Sequence, residues 1–278
     1  MPELPEVETV RRDLCARGLP GARIVDVWTS GKPLRLGRRL DGRLLRATCV
    51  GRRVDGLRRR GKYILVDLDD GARLVIHLGM SGRLWLTRAV ALMAPHTHVV
   101  WRLGGGRELR FVDARRFGLV AHAGDARAEA EIMGAMGIDP LTDNLDGERL
   151  SALLRGSRRA VKAFLLDQSA IAGLGNIYAS EALFRARIHP LTLAGRIAGA
   201  RASALCAAIV EVLRRALASG GTTLRDFTDA GGEPGGNSVN LRAYGREGQP
   251  CPRGDGGTIR RLLQQGRSTF YCPRCQRR

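Results

Sequence analysis

The amino-acid sequence predicts an α+β protein with more than one domain. Three features support this fold class: a helical start, short strand-like segments from about residue 22 to 122, and helical patterns after about residue 126 that lead into a cysteine-containing tail. At about 150 residues per domain, the 278 residues make one large domain or two ordinary ones. Hydrophobic residues form 44% of the chain, which is enough for a folded core.

The predicted elements begin with a helix, because four apolar residues recur at helical spacing: Leu4, Val7, Val10 and Leu14. The β region follows. Residues 63–68 and 73–78 flank a turn-forming Asp-Asp-Gly, and residues 97–103 and 107–112 flank three glycines. Both arrangements are typical of hairpins. Short strands joined by hairpins predict an antiparallel sandwich.

The later part of the chain has helical periodicity. Residues 150–166 predict one amphipathic helix and residues 202–217 another. Between them, residues 172–178 predict a tight turn into a helix. Residues 229–240 are rich in Gly, Asn, Ser and Asp, which predicts a flexible loop of the kind that forms lids.

The charge balance points to a polyanionic partner. The 46 basic residues outnumber the 27 acidic ones, and the net charge is +19. Only Lys32, Lys62 and Lys162 are lysines, so arginine supplies most of this charge. A high-GC genome explains the scarcity of lysine but not the excess of positive charge. Nucleic acid is the first candidate partner, although a basic ribosomal or nucleoid protein would also account for the charge.

Several other protein classes are excluded. No apolar run reaches the roughly 18 residues of a membrane span. The first residues alternate Pro and Glu where a signal peptide has a basic start and an apolar stretch. Six cysteines are too few for a disulfide scaffold, and Cys15, Cys49 and Cys206 lie in apolar stretches where we expect them to be buried. We therefore expect a cytoplasmic protein with reduced thiols.

The cysteine tail predicts a structural zinc site. Two residues separate Cys272 from Cys275, a spacing that allows two thiolates to bind one tetrahedral ion. Gly254 occupies the position at which a fourth cysteine would follow Cys251, and an aspartate comes next. The predicted ligands are Cys251, Asp255, Cys272 and Cys275. The alternative is a finger that folds without metal around four apolar residues: Ile259, Leu262, Phe270 and Tyr271.

The N-terminus contains a candidate nucleophile. A small residue after Met1 normally permits removal of the initiator, which would expose a secondary amine at Pro2. Such an amine has a pKa near roughly 8 and attacks carbonyl carbons to form an iminium ion. Glu3 and Glu6 are close enough in sequence to transfer protons. Taken alone, this pattern is more commonly a helix N-terminus.

Ordered motifs along the whole chain resemble those of the formamidopyrimidine-DNA glycosylase family. They are MPELPEVETV at residues 1–10, GKY at 61–63, HLGMSG at 77–82, DARRFG at 113–118, GLGNIYASE at 173–181, YGREG at 244–248 and the finger tail. The resemblance implies a base-excision repair enzyme that removes 8-oxoguanine and formamidopyrimidines from duplex DNA. It then cuts the abasic strand by β- and δ-elimination.

The family also implies a domain organisation. Residues 1–130 correspond to a catalytic β-sandwich, residues 131–240 to a helix-two-turn-helix DNA-binding domain with a lesion-capping loop, and residues 241–278 to a zinc-finger-like hairpin. The partner would be damaged double-stranded DNA. The resemblance implies a monomer without a small-molecule cofactor, in the bacterial cytoplasm and associated with the nucleoid.

The family implies a role for each matching residue. Pro2 would be the nucleophile at the sugar C1′, Glu3 the proton donor and acceptor, and Glu6 a supporting acid. Lys62 would contact phosphate and assist catalysis. Because the damaged base must leave the duplex, side chains must fill the void. The residues implied for DNA contacts are Met80, Arg115 and Phe117 in the void, His77, Asn176 and Arg267 at phosphates, and Lys162 near the damaged base.

Two departures from the family pattern leave alternatives open. The finger lacks its second cysteine, and residues 233–240 lack the aromatic-Gln pair that often follows Pro-Gly in the capping loop. The lesion preference is therefore open. An endonuclease VIII-like enzyme for oxidised pyrimidines is one alternative, although Leu4 and residues 7–10 favour the purine type. A non-catalytic binder of damaged DNA is another.

Overall fold

The computed structural model describes residues 1–35, 40–223 and 227–278. These residues form two compact units. The first contains Met1–Gly134 and Ser219–Gly236, and the second contains Ala135–Ala218 and Asn237–Arg278. The stretch 219–236, which the sequence assigns to the helical domain, thus belongs to the first unit. Within the described ranges, no helix is both long enough and apolar enough to span a bilayer.

The first unit is built on two antiparallel sheets of four strands each. Its helices are Leu4–Ala16 (α1), Gly42–Cys49 (α2) and Ala126–Met133 (α3). Its strands are Ile24–Thr29 (β1), Val54–Arg60 (β2), Tyr63–Leu68 (β3), Arg73–His77 (β4), Gly82–Arg88 (β5), Thr97–Leu103 (β6), Arg107–Asp113 (β7) and Leu119–Ala123 (β8). The strand orders are β1-β6-β7-β5 and β2-β3-β4-β8. Side chains of both sheets share one hydrophobic core, which confirms the predicted sandwich.

Helix α1 closes one side of this core. Its four predicted core residues, Leu4, Val7, Val10 and Leu14, are each at most 1% exposed. Glu3 is its N-cap residue, and Pro5 lies in the first turn, where its missing N–H leaves no helical hydrogen bond unmade. The predicted hairpins are also confirmed, since β3 pairs with β4 and β6 pairs with β7.

Part of the segment predicted to be a flexible loop is held against the first unit. Ala230 is buried in the hydrophobic core, together with the preceding Phe227. Asp229 Oδ1 accepts hydrogen bonds from the backbone N–H groups of Gly231 and Glu233, both at 2.9 Å. This side-chain turn fixes the local backbone, as aspartates commonly do in loops.

The second unit combines helices with a C-terminal hairpin. Its elements are Gly147–Leu154 (α4), Val161–Leu165 (α5), Asn176–Arg185 (α6), Gly199–Ala218 (α7), Arg260–Gln264 (β9) and Arg267–Tyr271 (β10). The predicted helix over 202–217 is confirmed within α7. The prediction of one continuous helix over 150–166 is wrong, because α4 ends at Leu154 and α5 starts at Val161. Arg155 is extended at ψ 132°, and Gly156 has a φ of +72°, so the chain leaves the helical conformation there.

The hairpin turn has a conformation that suits its residues. Gln265 and Gly266 both have positive φ, at 49° and 73°. Two left-handed residues between antiparallel strands form the tight turn that fits the twist of a hairpin. The turn sets the register that pairs Arg267 with Gln264, and thereby the position of Arg267 at the start of β10.

Candidate functional site

The start of α1 holds Pro2, Glu3 and Glu6 in a buried position. Glu3 is 2% exposed and Glu6 is 1% exposed, and Pro2 is also buried. The Glu3 carbonyl accepts the first helical hydrogen bond from the Val7 N–H at 3.1 Å. The Glu3 N–H donates to Glu6 Oε2 at 2.8 Å, as in a capping box. The backbone of Glu3, and with it the adjoining Pro2, is therefore fixed by the helix.

Glu6 also binds a distant part of the chain. Its Oε1 atom accepts a hydrogen bond from the Thr222 N–H at 2.7 Å. Gly221 has a φ of +85°, and a Cβ atom there would lie 3.1 Å from both Cγ and Oε1 of Glu6. A larger residue at 221 would thus be strained and crowded. Glu6 joins the start of α1 to residues 221–222, a link that sequence reasoning missed because 216 positions separate the two partners.

Lys62 and His77 lie near each other in the sheet that contains β3 and β4. Lys62 is 7% exposed and precedes β3, after Gly61 with a φ of +56°. The register of β3 and β4 pairs Tyr63 with His77, and their ring centroids are 4.8 Å apart. The positive charge of Lys62 acts on the imidazole of His77. The structure therefore brings these two predicted residues together.

His77 is a neutral hydrogen-bond donor at physiological pH. Burial lowers the pKa of His77 from 6.5 to about 3, and the charges of Arg35 and Lys62 contribute further. Its Nδ1 atom accepts a hydrogen bond from the Gly79 N–H at 2.9 Å, so the ring proton is on Nε2. The Nε2–H group is the donor that can bind an anion such as phosphate.

The depressed pKa of His77 makes the first unit less stable in acid. The unfolded histidine takes up a proton below pH 6.5, whereas the folded one remains neutral until about pH 3. This contribution is therefore present above pH 6.5 and is lost as the pH falls. Between pH 7 and pH 5 we expect His77 to cost about 2 kcal/mol of unfolding free energy.

Urea unfolding of the wild type and of His77→Gln at pH 7 and pH 5 measures this effect. Glutamine retains a donor and an acceptor but does not titrate. Fluorescence reports on the first unit, which contains all three tryptophans: Trp28, Trp85 and Trp101. If the wild type and the variant lose the same unfolding free energy between pH 7 and pH 5, the lowered pKa of His77 is not the cause.

Met80, Arg115 and Phe117 lie on two turns that touch each other. Met80 is on the turn between β4 and β5 and is 38% exposed, and the other two are on the turn between β7 and β8. The Arg115 guanidinium carbon lies 5.2 Å from the centroid of the Phe117 ring. A Cβ atom at Gly79 would lie 2.4 Å from backbone atoms of Phe117, so only glycine permits this approach. The structure brings these three predicted residues together.

In the second unit, Lys162 and Asn176 form a buried network with the hairpin. Lys162 is 1% exposed. Its ammonium group donates to Asn176 Oδ1 at 2.7 Å, to Thr269 Oγ1 at 2.6 Å and to the Ser268 carbonyl at 3.2 Å. Asn176 Nδ2 donates to the same Ser268 carbonyl at 3.0 Å. Arg267, the predicted phosphate contact, is exposed and adjoins this network.

Glu181 is a further organising residue whose role sequence reasoning missed. Burial raises its pKa, and its carboxylate accepts backbone hydrogen bonds from Arg242, Ala243 and Tyr244. These contacts connect α6 to the start of the C-terminal segment. The sequence did offer one sign of a special role, since a glutamate stands in the largely apolar motif of residues 173–181. Its position in the motif does not show which backbone groups it binds.

The four predicted metal ligands come together in the C-terminal segment. The ligand atoms of Cys251, Asp255, Cys272 and Cys275 all lie within 4.8 Å of one another. Ligand atoms of a tetrahedral zinc ion are separated by roughly 3.5 to 4 Å. Asp255 Oδ2 is 3.4 Å from Cys272 Sγ. The cluster is therefore close to the size that one zinc ion requires.

The surroundings of the cluster fit a cation. Burial raises the pKa values of the Cys251 and Cys275 thiols, so the thiolates need a positive charge to form. The Gly257 N–H donates to Asp255 Oδ1 at 2.7 Å and lowers the pKa of that carboxyl group. A Cβ atom at Gly257 would lie 2.7 Å from Cys272 Sγ, so glycine leaves room for the sulfur. Ile259 and Phe270 pack beside the cluster in a small hydrophobic core.

Two family models match the chain. The model of the formamidopyrimidine-DNA glycosylase N-terminal domain matches residues 1–120, and that of the formamidopyrimidine-DNA glycosylase H2TH domain matches residues 136–228. The chain is 46% identical over 289 aligned positions to the formamidopyrimidine-DNA glycosylase of Cereibacter sphaeroides. It is also 46% identical over 277 positions to that of Methylococcus capsulatus. Both alignments cover 100% of each chain.

Solved structures of the Lactococcus lactis Fpg are similar over the whole chain. One is a mutant bound to DNA that contains Fapy-dG, with a TM-score of 0.90, 32% identity and 100% coverage of both chains. A complex with DNA that contains an abasic site has a TM-score of 0.89 and 32% identity, and covers 99% of this chain and 100% of that one. A wild-type complex with DNA that contains an oxidised pyrimidine has a TM-score of 0.89, 32% identity and 100% coverage of both chains.

Proposed function

Because the chain belongs to the formamidopyrimidine-DNA glycosylase family, we propose that it excises 8-oxoguanine and formamidopyrimidines from duplex DNA and then cuts the abasic strand. The observation that carries this proposal is the buried start of α1, where Pro2 precedes the carboxylates of Glu3 and Glu6. An amine beside buried carboxylates combines a nucleophile with groups that transfer protons.

Met1 must be removed before the reaction, because an amide nitrogen at Pro2 is not nucleophilic. The free amine of Pro2 then forms a bond to the sugar C1′, and the electron pair of the glycosidic bond leaves with the base, which takes up a proton. Glu3 donates a proton to the ring oxygen of the sugar as the ring opens and the iminium ion forms.

Strand cleavage follows from the acidity of the iminium ion. Loss of a proton from C2′ expels the 3′ phosphate by β-elimination, and a second proton loss expels the 5′ phosphate by δ-elimination. Glu3 is the carboxylate that we assign to accept and return protons at the sugar. The hydrogen bond from the Glu3 N–H to Glu6 Oε2 supports a positioning role for Glu6.

DNA binding uses residues of both units. The net charge of +19 attracts the duplex, and we assign phosphate contacts to Lys62, His77, Asn176 and Arg267. Met80, Arg115 and Phe117 fill the space that the extruded nucleotide leaves. Lys162 retains its assignment near the damaged base, although its hydrogen bonds to Asn176 and Thr269 support a second role in holding the hairpin. We propose that the enzyme acts as a monomer in the bacterial cytoplasm, where it meets the nucleoid.

Excision kinetics test the substrate assignment. We expect faster release of 8-oxoguanine opposite cytosine than of thymine glycol. Faster release of thymine glycol would favour an endonuclease VIII-like preference for oxidised pyrimidines. This preference is the second candidate, because a similar solved structure is bound to DNA that contains an oxidised pyrimidine. If the protein releases neither base and binds damaged and intact duplexes with equal affinity, its function would be DNA binding without repair chemistry.

We also propose that one structural zinc ion binds Cys251, Asp255, Cys272 and Cys275. The proximity of these ligands and the space at Gly257 support it. The ion would keep three thiols deprotonated and would fix the segment that follows β10. It has no assigned part in the reaction at the sugar.

Substitution of Asp255 tests this metal site. We expect about one zinc per chain in the wild type and in Asp255→Cys, which supplies the fourth thiolate of an ordinary finger. Asp255→Ala should lower zinc affinity more than about 100-fold, beyond the usual cost of losing an outer-shell partner. Elemental analysis and competition with a chelator measure this. Full zinc affinity in Asp255→Ala would exclude Asp255 as a ligand, and a wild type without zinc would favour the metal-free finger.

A further inference from the structure

The carboxylate of Asp113 connects the two turns that carry Met80, Arg115 and Phe117. Asp113 is the last residue of β7 and is 0% exposed. Its Oδ1 atom accepts a hydrogen bond from Ser81 Oγ at 2.6 Å, next to Met80 on the first turn. Its Oδ2 atom accepts one from the Gly118 N–H at 2.7 Å, next to Phe117 on the second turn. One buried group is thus bonded to both turns.

Ser81 completes the connection. While its hydroxyl donates to Asp113, its oxygen accepts a hydrogen bond from the Arg115 N–H at 3.2 Å. The Arg115 N–H also lies 3.3 Å from Asp113 Oδ1. The backbone at Arg115 is therefore held from the first turn as well as from its own strand. Hydrogen bonds to a buried carboxylate are among the strong ones, since the charge is poorly screened.

The backbone of the second turn is shaped to meet this carboxylate. A Cβ atom at Gly118 would lie 3.1 Å from Asp113 Oδ2 and 2.4 Å from the Phe111 ring, so the approach requires glycine. Arg116 has a φ of +55°, and its N–H donates to the Asp113 carbonyl at 3.3 Å. A non-glycine residue in the left-handed region is strained, and the surrounding contacts must stabilise it.

We propose that Asp113 is a positioning residue that holds the void-filling side chains at a fixed separation before DNA binds. The inference rests on the proposed repair function. Extruding a paired base costs a few kcal/mol, and side chains that enter the duplex together offset this cost. If the two turns move independently, ordering them consumes part of that binding free energy. Asp113 touches neither the sugar nor Pro2 in this role.

The role predicts different effects on two substrates. Extruding 8-oxoguanine requires unpairing and unstacking, whereas a preformed abasic site has no base to unpair. We expect Asp113→Asn to slow single-turnover excision of 8-oxoguanine about tenfold or more, in line with loss of a hydrogen bond to a charged group. Borohydride trapping on an abasic duplex should stay within about threefold of the wild type. Stopped-flow fluorescence of 2-aminopurine placed next to the lesion in the same strand should change more slowly, in parallel with excision.

Two further variants make the test decisive. Ser81→Ala removes the hydroxyl that joins the turns and should shift the same readouts in the same direction by a smaller factor. Glu108→Gln is the matched control, because Glu108 is a buried carboxylate on the same strand that pairs with Arg110 away from both turns. We expect it to match the wild type in all three readouts.

Three outcomes would overturn the proposal. They are wild-type kinetics in Asp113→Asn, equal losses on both substrates, and, if Asp113→Asn does not fold, wild-type kinetics in Ser81→Ala. Failure of the wild type to excise 8-oxoguanine would instead refute the proposed function, so the two failures are distinguishable.

Discussion

A chain that retains Met1 is expected to form no covalent adduct with an abasic duplex under borohydride. With Met1 attached, the Pro2 nitrogen is an amide whose electron pair is delocalised, so it cannot attack C1′. Excision of 8-oxoguanine should fall on the order of 10⁴-fold or more, as when other enzymes lose a covalent nucleophile. Retaining Met1 leaves the side chains of Glu3 and Lys62 unchanged.

The matched control is the same chain after treatment with a methionine aminopeptidase. Trapping should recover in proportion to the fraction of chains that begin at Pro2, as measured by intact mass. Pro2→Gly is a weaker test, because an N-terminal glycine still offers a primary amine. A robust adduct from the chain that retains Met1 would refute the assignment of Pro2.

Glu3→Gln should separate base excision from reaction with an abasic site. Excision needs a proton at the sugar while the base leaves, and general acid–base catalysis contributes about 10² to 10⁴-fold. We therefore expect a loss of that size for 8-oxoguanine. An abasic site already presents an aldehyde carbon to the amine, so trapping there should persist.

The control for Glu3→Gln is Glu8→Gln. Glu8 is also a buried carboxylate of α1, but it pairs with Arg11, Arg12 and Arg59. We expect Glu8→Gln to lose stability while its excision rate remains within a few-fold of the wild type. Equal losses in excision and trapping for Glu3→Gln would contradict the assigned role, because they would indicate damage to the nucleophile itself.

Local patterns in the sequence predicted the elements that depend on local interactions. The apolar spacing of α1 predicted its buried face, and the Asp-Asp-Gly and triple-glycine turns predicted two hairpins. The prediction of one helix over 150–166 was wrong because the apolar residues on either side belong to two helices, whereas residues 155–160 contain a glycine and only one apolar residue, Ala160. There the backbone turns away, with a positive φ at Gly156, to begin α5. Periodicity records which face is buried but not whether the backbone is continuous.

Long-range partners could not be predicted in the same way. The hydrogen bond between Glu6 and the Thr222 N–H spans 216 positions, and no local pattern marks a backbone donor. Lys162 was predicted as a DNA-binding residue because it matches a lysine that the family places near the damaged base, while its contacts with Asn176 and Thr269 depend on the fold of the second unit. Asp113 belonged to a recognised motif, but its role is defined by the turn that carries Ser81.

The metal site lies between these two cases. The spacing of Cys272 and Cys275 predicted half of the ligand set locally, and Asp255 was inferred from the position left by the missing cysteine. The structure brings the ligand atoms of all four predicted residues within 4.8 Å of one another. The identity of the ion depends on chemistry outside the sequence, and this is why elemental analysis of Asp255 variants is the relevant test.

Peptide mapping of the reduced adduct tests directly whether the Pro2 nitrogen forms the covalent intermediate. The wild type, processed to begin at Pro2, is trapped with borohydride on an abasic duplex, digested and sequenced by tandem mass spectrometry. Besides the N-terminus, the only amines in the chain are those of its three lysines, Lys32, Lys62 and Lys162. We expect the deoxyribose remnant to be attached to the N-terminal peptide at Pro2. Attachment to a lysine, with Pro2 unmodified, would refute the assignment of Pro2 as the nucleophile.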